Sequence, residues 1–406
     1  MTPRAAHADG THQAVLASLR DLPARYEPAQ APRGERRYRL EISGCVPHVV
    51  MVHGRRCLVR PATDGRTHAT LRIERAAWLD LVGGRASGLE AFLAGRLQIH
   101  GDLNEALRLE TLFRPPVGSA NERAPAQMRQ RDTGDGVVET YEAGPAGAPV
   151  VVALHGLGAS KASLVPLIAG LSRSHRVVAF DFPGFGKSGP PRSGRHDIGA
   201  LASCVVAVLD AVGADRAALV GNSLGGRVGV EVGLRAPERV RALGLLCPAV
   251  AFDEYALVRP LLAAVRAERA LGLPLWPVPH ALVDAGLRRL FAVADRVPAD
   301  NLRAARDDFL RGLRARHTRV ALAAVARHIA LEEPGRFWER LAGLERPSLW
   351  VFGDTDPLVA PAYADVVRAR VRNATVAVWP SCGHVPQFEH PERTLAALAA
   401  HVLAQP

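Results

Sequence analysis

Short, continuous apolar runs alternate with amphipathic stretches through the last two thirds of the chain. Val150 to Leu154, Val177 to Phe180, Ala218 to Val220, Ala242 to Leu246, Leu349 to Phe352 and Val376 to Val378 read as strands. A run with no polar alternation leaves no face for water, so these strands are expected in a sheet covered on both sides. Their order, with helical text between them from Val137 onward, predicts a doubly wound, mostly parallel α/β sheet. Between Cys247 and Leu344 the strand pattern gives way to helical periodicity at Leu257 to Leu271, His280 to Ala294, Asp300 to Arg314 and Val320 to Ala330. That predicts an inserted helical cap over about 248–344.

The first third follows a different rule. Tyr38 to Ile42, Val49 to Val59 and Ala69 to Ile73 alternate apolar and polar positions, as strands with one wet face do, and Pro61 to Thr67 joins the last two. Helical patterns at Arg75 to Val82 and Leu89 to Leu93, a strand at Arg96 to His100, and a helix from Asp102 to Phe113 with Asp102 as N-cap complete a small α+β domain. The stretch Pro115 to Gly136 is polar and punctuated by Pro and Gly, and reads as a linker. The expected organisation is 1–114, a linker over 115–136, and 137–406.

Composition supports two cores: the chain has 406 residues, of which 48% are hydrophobic. No apolar run reaches the roughly 20 residues of a membrane span, and the N-terminus lacks an apolar segment behind a basic start. The expectation is a cytoplasmic protein without a transmembrane segment. The cysteines at 45, 57, 204, 247 and 382 show neither a C-x-x-C spacing nor a Cys/His metal pattern, and are expected reduced and mostly in cores. The formal charge of +11 raises nucleic acid or anionic lipid as partners. Residues 1–135 hold 20 Arg against 15 acids, and the remainder 31 basic against 25 acidic residues. With no basic block or tail, the spread favours a solvated surface and no nucleic-acid partner.

The most informative segment is Gly221-Asn222-Ser223-Leu224-Gly225-Gly226, a G-x-S-x-G where an apolar strand gives way to a helix. Such a turn mounts a serine on a sharp bend, and its glycines let backbone and helix approach closely. Ser223 is the candidate nucleophile. The amide of Leu224, at the helix start, can face a developing oxyanion. A serine hydroxyl is a weak nucleophile alone, so it needs a base, and the base an orienter.

His155-Gly156-Leu157-Gly158, then Asp181-Phe182-Pro183-Gly184-Phe185-Gly186-Lys187-Ser188, then the Ser223 turn follow successive strands. Together they resemble the α/β-hydrolase superfamily over about residues 137–404. The resemblance implies a second oxyanion amide at Leu157, a pocket-shaping role for the Asp181 loop, and a catalytic base at His384, which stands in the family's G-H-x-x-x-x-E context. Among the 15 histidines, His155, His175, His280, His317 and His328 read instead as surface or packing residues. Val351-Phe352-Gly353-Asp354-Thr355-Asp356 offers two carboxylates. The family's G-x-x-D pattern selects Asp356 and leaves Asp354 to cap the turn. The chain order Ser223, Asp356, His384 is the one this fold uses. In the cap, Leu261, Leu262, Val265, Leu282, Leu290, Phe291, Phe309, Leu322 and Val325 are candidates for lid packing or substrate contact.

Trp78-Leu79-Asp80-Leu81-Val82-Gly83-Gly84 and Ala91-Phe92-Leu93-Ala94-Gly95-Arg96-Leu97-Gln98-Ile99-His100-Gly101-Asp102-Leu103 resemble the sterol carrier protein 2 (SCP2) family over about residues 20–114. That resemblance implies an apolar tunnel for a fatty acyl or sterol ligand, where an ordinary filled core would leave the same pattern. The combined expectation is a serine hydrolase cleaving carboxylic esters of hydrophobic acyl groups, with no metal or organic cofactor. Thioesterase and carbon–carbon bond hydrolase chemistry are the alternatives. The elbow resembles that of the carbon–carbon hydrolases, whereas His155-Gly156-Leu157-Gly158-Ala159-Ser160-Lys161 and Leu246-Cys247-Pro248-Ala249 resemble monoacylglycerol lipase-like esterases. A lipid carrier is the non-enzymatic alternative, and the oligomeric state is not specified by the sequence.

Overall fold

A computed structural model describes residues 3–114, 126–250, 278–332 and 334–405. The chain divides into two compact units, residues 1–128 with 298–308, and residues 129–297 with 309–406.

The first unit is built on a five-stranded sheet of β1 (Arg36–Ile42), β2 (His48–His53), β3 (Arg56–Pro61), β4 (Ala69–Ile73) and β5 (Leu97–Gly101), in the order β3-β2-β1-β4-β5. Only β1 and β4 are parallel. Alternation turns Tyr38, Leu40, Ile42, Val50, Val52, Leu71, Ile73 and Ile99 to one buried face. Helices α1 (Pro3–Asp21), α2 (Arg75–Val82), α3 (Gly88–Leu93) and α4 (Leu103–Thr111) contribute Val15, Leu19, Trp78, Phe92 and Leu107 to the same core. Trp78 Nε1 donates to Ser18 Oγ at 2.8 Å, which satisfies the indole. The expected cap of α4 is present: the Asp102 carboxylate accepts from the Asn104 amide at 3.0 Å.

Two elements differ from expectation. Val49 to Val59 is a hairpin and not one strand, because Gly54, at φ +54°, turns the chain between β2 and β3. The polar run His53-Gly54-Arg55-Arg56 marks the turn, and with Val52 paired to Cys57 the inward positions change from even to odd numbers across it. Helix α1 was not expected: among its described residues only Val15 and Leu19 are buried, too few to print a helical stripe.

The second unit carries an eight-stranded sheet of β6 (Gln127–Asp132), β7 (Val137–Ala143), β8 (Val150–Leu154), β9 (Arg176–Phe180), β10 (Ala217–Asn222), β11 (Val240–Leu246), β12 (Ser348–Gly353) and β13 (Ala374–Trp379). Their order is β13-β12-β11-β10-β8-β9-β7-β6. From β8 to β13 the pairings are parallel, and β7 runs antiparallel to β9. Every residue of β10 and β12 is buried, as their unbroken apolar text requires. Strand β6 lies inside the stretch read as linker. Its Gln-Met-Arg-Gln-Arg-Asp sequence gives an edge strand with one buried side chain, Met128, and so carries no apolar signal.

Helices α5 (Val165–Leu171), α6 (Ile198–Ala211) and α7 (Leu224–Arg235) follow the central strands. Between β11 and β12 come α8 (His280–Arg289), α9 (Ala299–Arg314), α10 (Arg316–Leu331) and α11 (Pro334–Leu341), so the helical insertion is present. The helix expected at Leu257 to Leu271, with Leu261, Leu262 and Val265, lies outside the described residues. Among the described residues no helix is long and apolar enough to cross a membrane.

Glu142 on β7 fastens the sheet's antiparallel edge. It is buried and accepts from Arg131 of β6 at 2.6 Å, from Arg176 of β9 at 2.9 Å and from the Thr140 hydroxyl at 3.1 Å. Burial alone would raise its carboxyl, but the two guanidiniums outweigh it and hold the group below the usual carboxylate range. A carboxyl depressed in the folded state stabilises the fold above its unfolded pKa of about 4.3, and loses that contribution as pH falls through the folded value. Glu142→Gln should cost about 2–3 kcal/mol at neutral pH, less than a fully buried pair because both arginines keep some solvent. Urea unfolding across pH should show the gap between wild type and variant closing below about pH 4; a gap independent of pH would mean that the charge is not what fastens this edge.

Candidate active site

The loops that follow the six parallel strands β8 to β13 lie at the carboxyl edge of the larger sheet, where open α/β sheets place their sites. Ser223 sits between β10 and α7 with φ +54° and ψ −116°, one of three described non-glycine residues at positive φ. Its amide donates to Leu246 O at 3.0 Å, and its carbonyl accepts from the Arg227 and Ala249 amides at 3.0 Å each. The bend is thus held from both sides. A β-carbon on Gly221 would lie 2.3 Å from the Gly225 carbonyl carbon, and one on Gly225 would lie 2.1 Å from Leu154 O. Only glycine fits at either position.

Asp356 and His384 meet directly. His384 Nδ1 donates to Asp356 Oδ2 at 2.8 Å, with both side chains buried. An ionised carboxylate can only accept, so this bond places the proton on Nδ1 and leaves Nε2 as the basic nitrogen. The other oxygen, Oδ1, accepts from the Leu358 and Val359 amides at 2.8 and 3.0 Å, which fixes the carboxylate's rotamer. Asp354 faces elsewhere: it accepts from the Cys382 amide at 3.2 Å and braces the histidine loop.

Asn222, not singled out from the sequence, ties the serine turn to that loop. Its Nδ2 donates to the His384 carbonyl at 2.9 Å and to Leu246 O at 3.0 Å. A polar residue ending a wholly buried strand was the available signal. Glu389, the acid of the G-H-x-x-x-x-E context, ends the short helix Pro386–Glu389. Its carboxylate accepts from the Gly383 amide at 2.8 Å and from the Ala292 amide at 2.7 Å, while the His384 amide donates to Leu290 O at 2.6 Å. The segment after α8 is therefore stitched to the histidine loop. Burial raises the Glu389 carboxyl above its usual range despite these amides.

The two residues expected to supply oxyanion amides lie close to Ser223. A β-carbon on Gly156 would lie 3.5 Å from Ser223 Cβ, so the loop carrying Leu157 passes beside the serine. Leu224, fully buried, is the first residue of α7, whose early amides have no intrahelical acceptor. His155 is a packing residue, as expected: the Phe182 amide donates to its Nε2 at 2.9 Å and its Nδ1 donates to Gly156 O at 2.8 Å. Burial holds its imidazole below the usual range.

Asp181 also takes the structural part. Its carboxylate accepts from the buried Lys161 Nζ at 2.7 Å, from the Lys161 amide at 2.6 Å and from the Lys187 amide at 2.8 Å, and Glu139 adds a second carboxylate 3.0 Å from Nζ. Burial would push the ammonium down, but Asp181 and Glu139 together push it up, so it stays charged. This ion cluster fixes the loops after β8 and β9.

Of the cap candidates, Phe309 and Leu322 come against the oxyanion loop, 2.9 and 3.5 Å from where a β-carbon on Gly158 would stand. Val325 is fully buried in the core and Leu282 is exposed. Arg227, one turn after Ser223, is buried with Glu231 at 3.4 Å and Glu332 at 2.5 Å, and lies 4.0 Å over the Phe337 ring. It joins the elbow helix to α11.

Cys247, at φ +44°, places its thiol with Asp356 and His384 so that their donor atoms lie within 4.8 Å of one another. This is the only grouping of three potential metal donors among the described residues. Burial, then the Asp356 charge, raises the thiol well above its usual range, so the thiolate a metal needs is disfavoured. Its Sγ instead donates to Gly383 O at 3.5 Å.

A mostly parallel sheet, a strained serine turn on the central strand and a helical insertion after β11 define an α/β-hydrolase. Comparison with known proteins agrees: residues 149–391 match the family described as alpha/beta hydrolase fold, to which the chain belongs. Residues 16–114 match the SCP-2 sterol transfer family, so the chain joins an SCP2 domain to a hydrolase. The chain is 29% identical to the dihydrolipoyllysine-residue acetyltransferase component of the acetoin cleaving system of Cupriavidus necator, over 71% of this chain and 73% of that protein. It is 28% identical to 2-hydroxymuconate semialdehyde hydrolase of Pseudomonas putida, over 58% of this chain and 79% of that one. Among solved structures, naproxen esterase of Bacillus subtilis shares the fold with a TM-score of 0.53 at 21% identity, covering 68% of this chain and 90% of that one.

The Glu389 stitch makes a prediction about the loop. Glu389→Ala strands two amides and should lower stability by about 2–4 kcal/mol, whereas Glu389→Gln, which keeps one acceptor oxygen, should cost less. Denaturant unfolding of the two variants checks the order; equal loss would mean that packing and not hydrogen bonding holds the loop.

Proposed function

We propose that this hydrolase cleaves carboxylic esters of hydrophobic acyl groups through Ser223, His384 and Asp356. The observation that carries the reading is the 2.8 Å bond from His384 Nδ1 to a doubly anchored Asp356, which leaves Nε2 as the base. Ser223 Oγ attacks the ester carbonyl as Nε2 takes its proton. The oxyanion is met by the Leu157 and Leu224 amides, each such donor being worth about 2.7–4 kcal/mol. Nε2 then protonates the departing alcohol, activates water against the acyl-enzyme, and returns the proton to Ser223 as the acid is released. Asp356 holds the imidazole's tautomer and balances the imidazolium.

In this reading Phe309 and Leu322 furnish the apolar wall beside the oxyanion loop. The organisation we propose is 1–114 as the SCP2 domain, joined through 115–126 to a hydrolase domain that begins at β6 and runs to 406, with its cap over about 248–344. The SCP2 domain takes a small hydrophobic ligand, fatty acyl or sterol in class, and raises the local concentration of apolar substrate. A second reading, hydrolysis of a carbon–carbon bond next to a ketone, is favoured by the likeness to the semialdehyde hydrolase and uses the same three residues.

A fluorophosphonate probe should label the wild type and not Ser223→Ala, whose ester turnover should fall by about three orders of magnitude or more. Asp356→Asn should be far more damaging than Asp354→Asn. Along a p-nitrophenyl ester series kcat/KM should rise with acyl length, by up to about fourfold per methylene. Labelling without any ester turnover, alongside cleavage of a ketone substrate, would select the second reading.

A further inference from the structure

The formal charge of the chain is spread evenly along the sequence but not over the surface. In the first unit, the strand residues that do not face the core share one outer sheet face. Register places Arg60 beside Val49, Val49 beside Arg39, and Arg39 beside Thr70; the next rows pair Leu58 with Met51 and Met51 with Arg37, and Glu41 with Arg72. Arg56 stands across from His53 at the end of the hairpin. Five arginines thus occupy a face that carries one glutamate and spans five strands, roughly 20 Å across.

The acids that reach these cations are used up on one side. Glu41 is shared by Arg39 at 2.7 Å and Arg72 at 2.6 Å, and Glu35, just before β1, holds Arg37 at 2.6 Å. Among the described residues, Arg56 and Arg60 on edge strand β3 have no carboxylate partner. Between them Leu58 is 58% exposed, one of two large apolar side chains of this unit so open. A leucine on the wet side of a strand, flanked by guanidiniums without a carboxylate partner among the described residues, is a poor choice for a face that meets only water.

We propose that this outer sheet face is a docking surface for an anionic phospholipid bilayer. Guanidiniums pair with lipid phosphates in bidentate fashion, and a leucine between them can enter the boundary between headgroups and acyl chains. An exposed leucine between two guanidiniums at the sheet edge fits that layered chemistry. Single-stranded nucleic acid is recognised by aromatic side chains that stack on bases, and the outward positions of these five strands carry none. The docking surface stands independently of the proposed ester chemistry, since none of its residues belongs to the candidate active site.

The test uses the full chain with vesicles of phosphatidylcholine alone and of phosphatidylcholine with phosphatidylglycerol, in a sedimentation assay at low and high salt. The chain should sediment with the anionic vesicles only, and less at high salt. Each surface arginine contributes about fivefold in affinity near an anionic membrane, so Arg56→Gln with Arg60→Gln should weaken binding about twenty-fivefold. Leu58→Asp should weaken it further, and Arg56→Lys with Arg60→Lys should retain most of it. The circular dichroism spectrum and the thermal unfolding transitions should be unchanged in all of them, which reports that they fold. Equal sedimentation with neutral vesicles, or undiminished binding by the double glutamine variant, would overturn the proposal. Tighter binding to an oligonucleotide than to anionic vesicles, lost in the same variant, would reassign the face to nucleic acid and overturn it as well.

Discussion

The close approach of β10, α7 and β8 at the serine turn is the constraint from which the larger unit's geometry follows. Leu154 O stands where a β-carbon of residue 225 would be, and the Gly225 backbone stands where one of residue 221 would be. The helix can therefore start against the strand, and Ser223 takes a conformation that costs of order 1–3 kcal/mol. That strain persists because the Ser223 amide and carbonyl are both engaged, by Leu246, Arg227 and Ala249. The same proximity brings Gly156, and with it the Leu157 loop, to van der Waals distance from the serine. A bulkier residue at either glycine would separate Ser223 from the Gly156–Leu157 loop before it changed any side chain of the proposed triad.

Around this point the polar groups divide into those that react in the proposed mechanism and those that hold. Asp181 would be mistaken for a catalytic acid on burial alone, yet the Lys161 ammonium and the Lys161 and Lys187 backbone amides occupy its lone pairs. Asp356 differs in having one oxygen committed to backbone and the other to an imidazole. Glu389 and Asn222 act on backbone only, Glu389 on the amides of Gly383 and Ala292, Asn222 on the carbonyl of His384. Since Leu290 and Ala292 belong to the insertion, displacement of the segment after α8 would be felt at the His384 main chain without any contact to its ring.

The strands of the parallel sheet were legible in the sequence because burial on both faces leaves one reading for an unbroken apolar run. Val150–Leu154 needed no structure to place, and β10 and β12 differ from expectation by a residue or two at their ends. The separation of Asp356 from Asp354 was legible only through the family pattern, since both carboxylates follow the same strand. What escaped was whatever owes its structure to partners and not to its own periodicity. Strand β6 is held by an edge pairing, and α1 buries two described apolar side chains. Asn222 escaped for a related reason: a side chain that bonds to main chain leaves no motif of complementary residue types, and Glu389 was legible as a motif position but not as the acceptor of two amides.

Charge shows the same limit in another form. Counted along the chain, the arginines of the first third look dispersed, because a strand places only alternate residues on one face and a tally in sequence mixes the two. Folding separates them. On β1, Tyr38, Leu40 and Ile42 go inward while Arg37, Arg39 and Glu41 go outward, and the register of β2 and β3 aligns their outward positions beside them. A linear distribution that argues against an electrostatic footprint can therefore coexist with a concentrated one, whenever the element carrying the charge has a period of two. The two sheets make the contrast within one chain. The covered sheet spends both faces on the core and leaves its chemistry to the loops at its edge, whereas the half-covered sheet has a whole face free to carry charge.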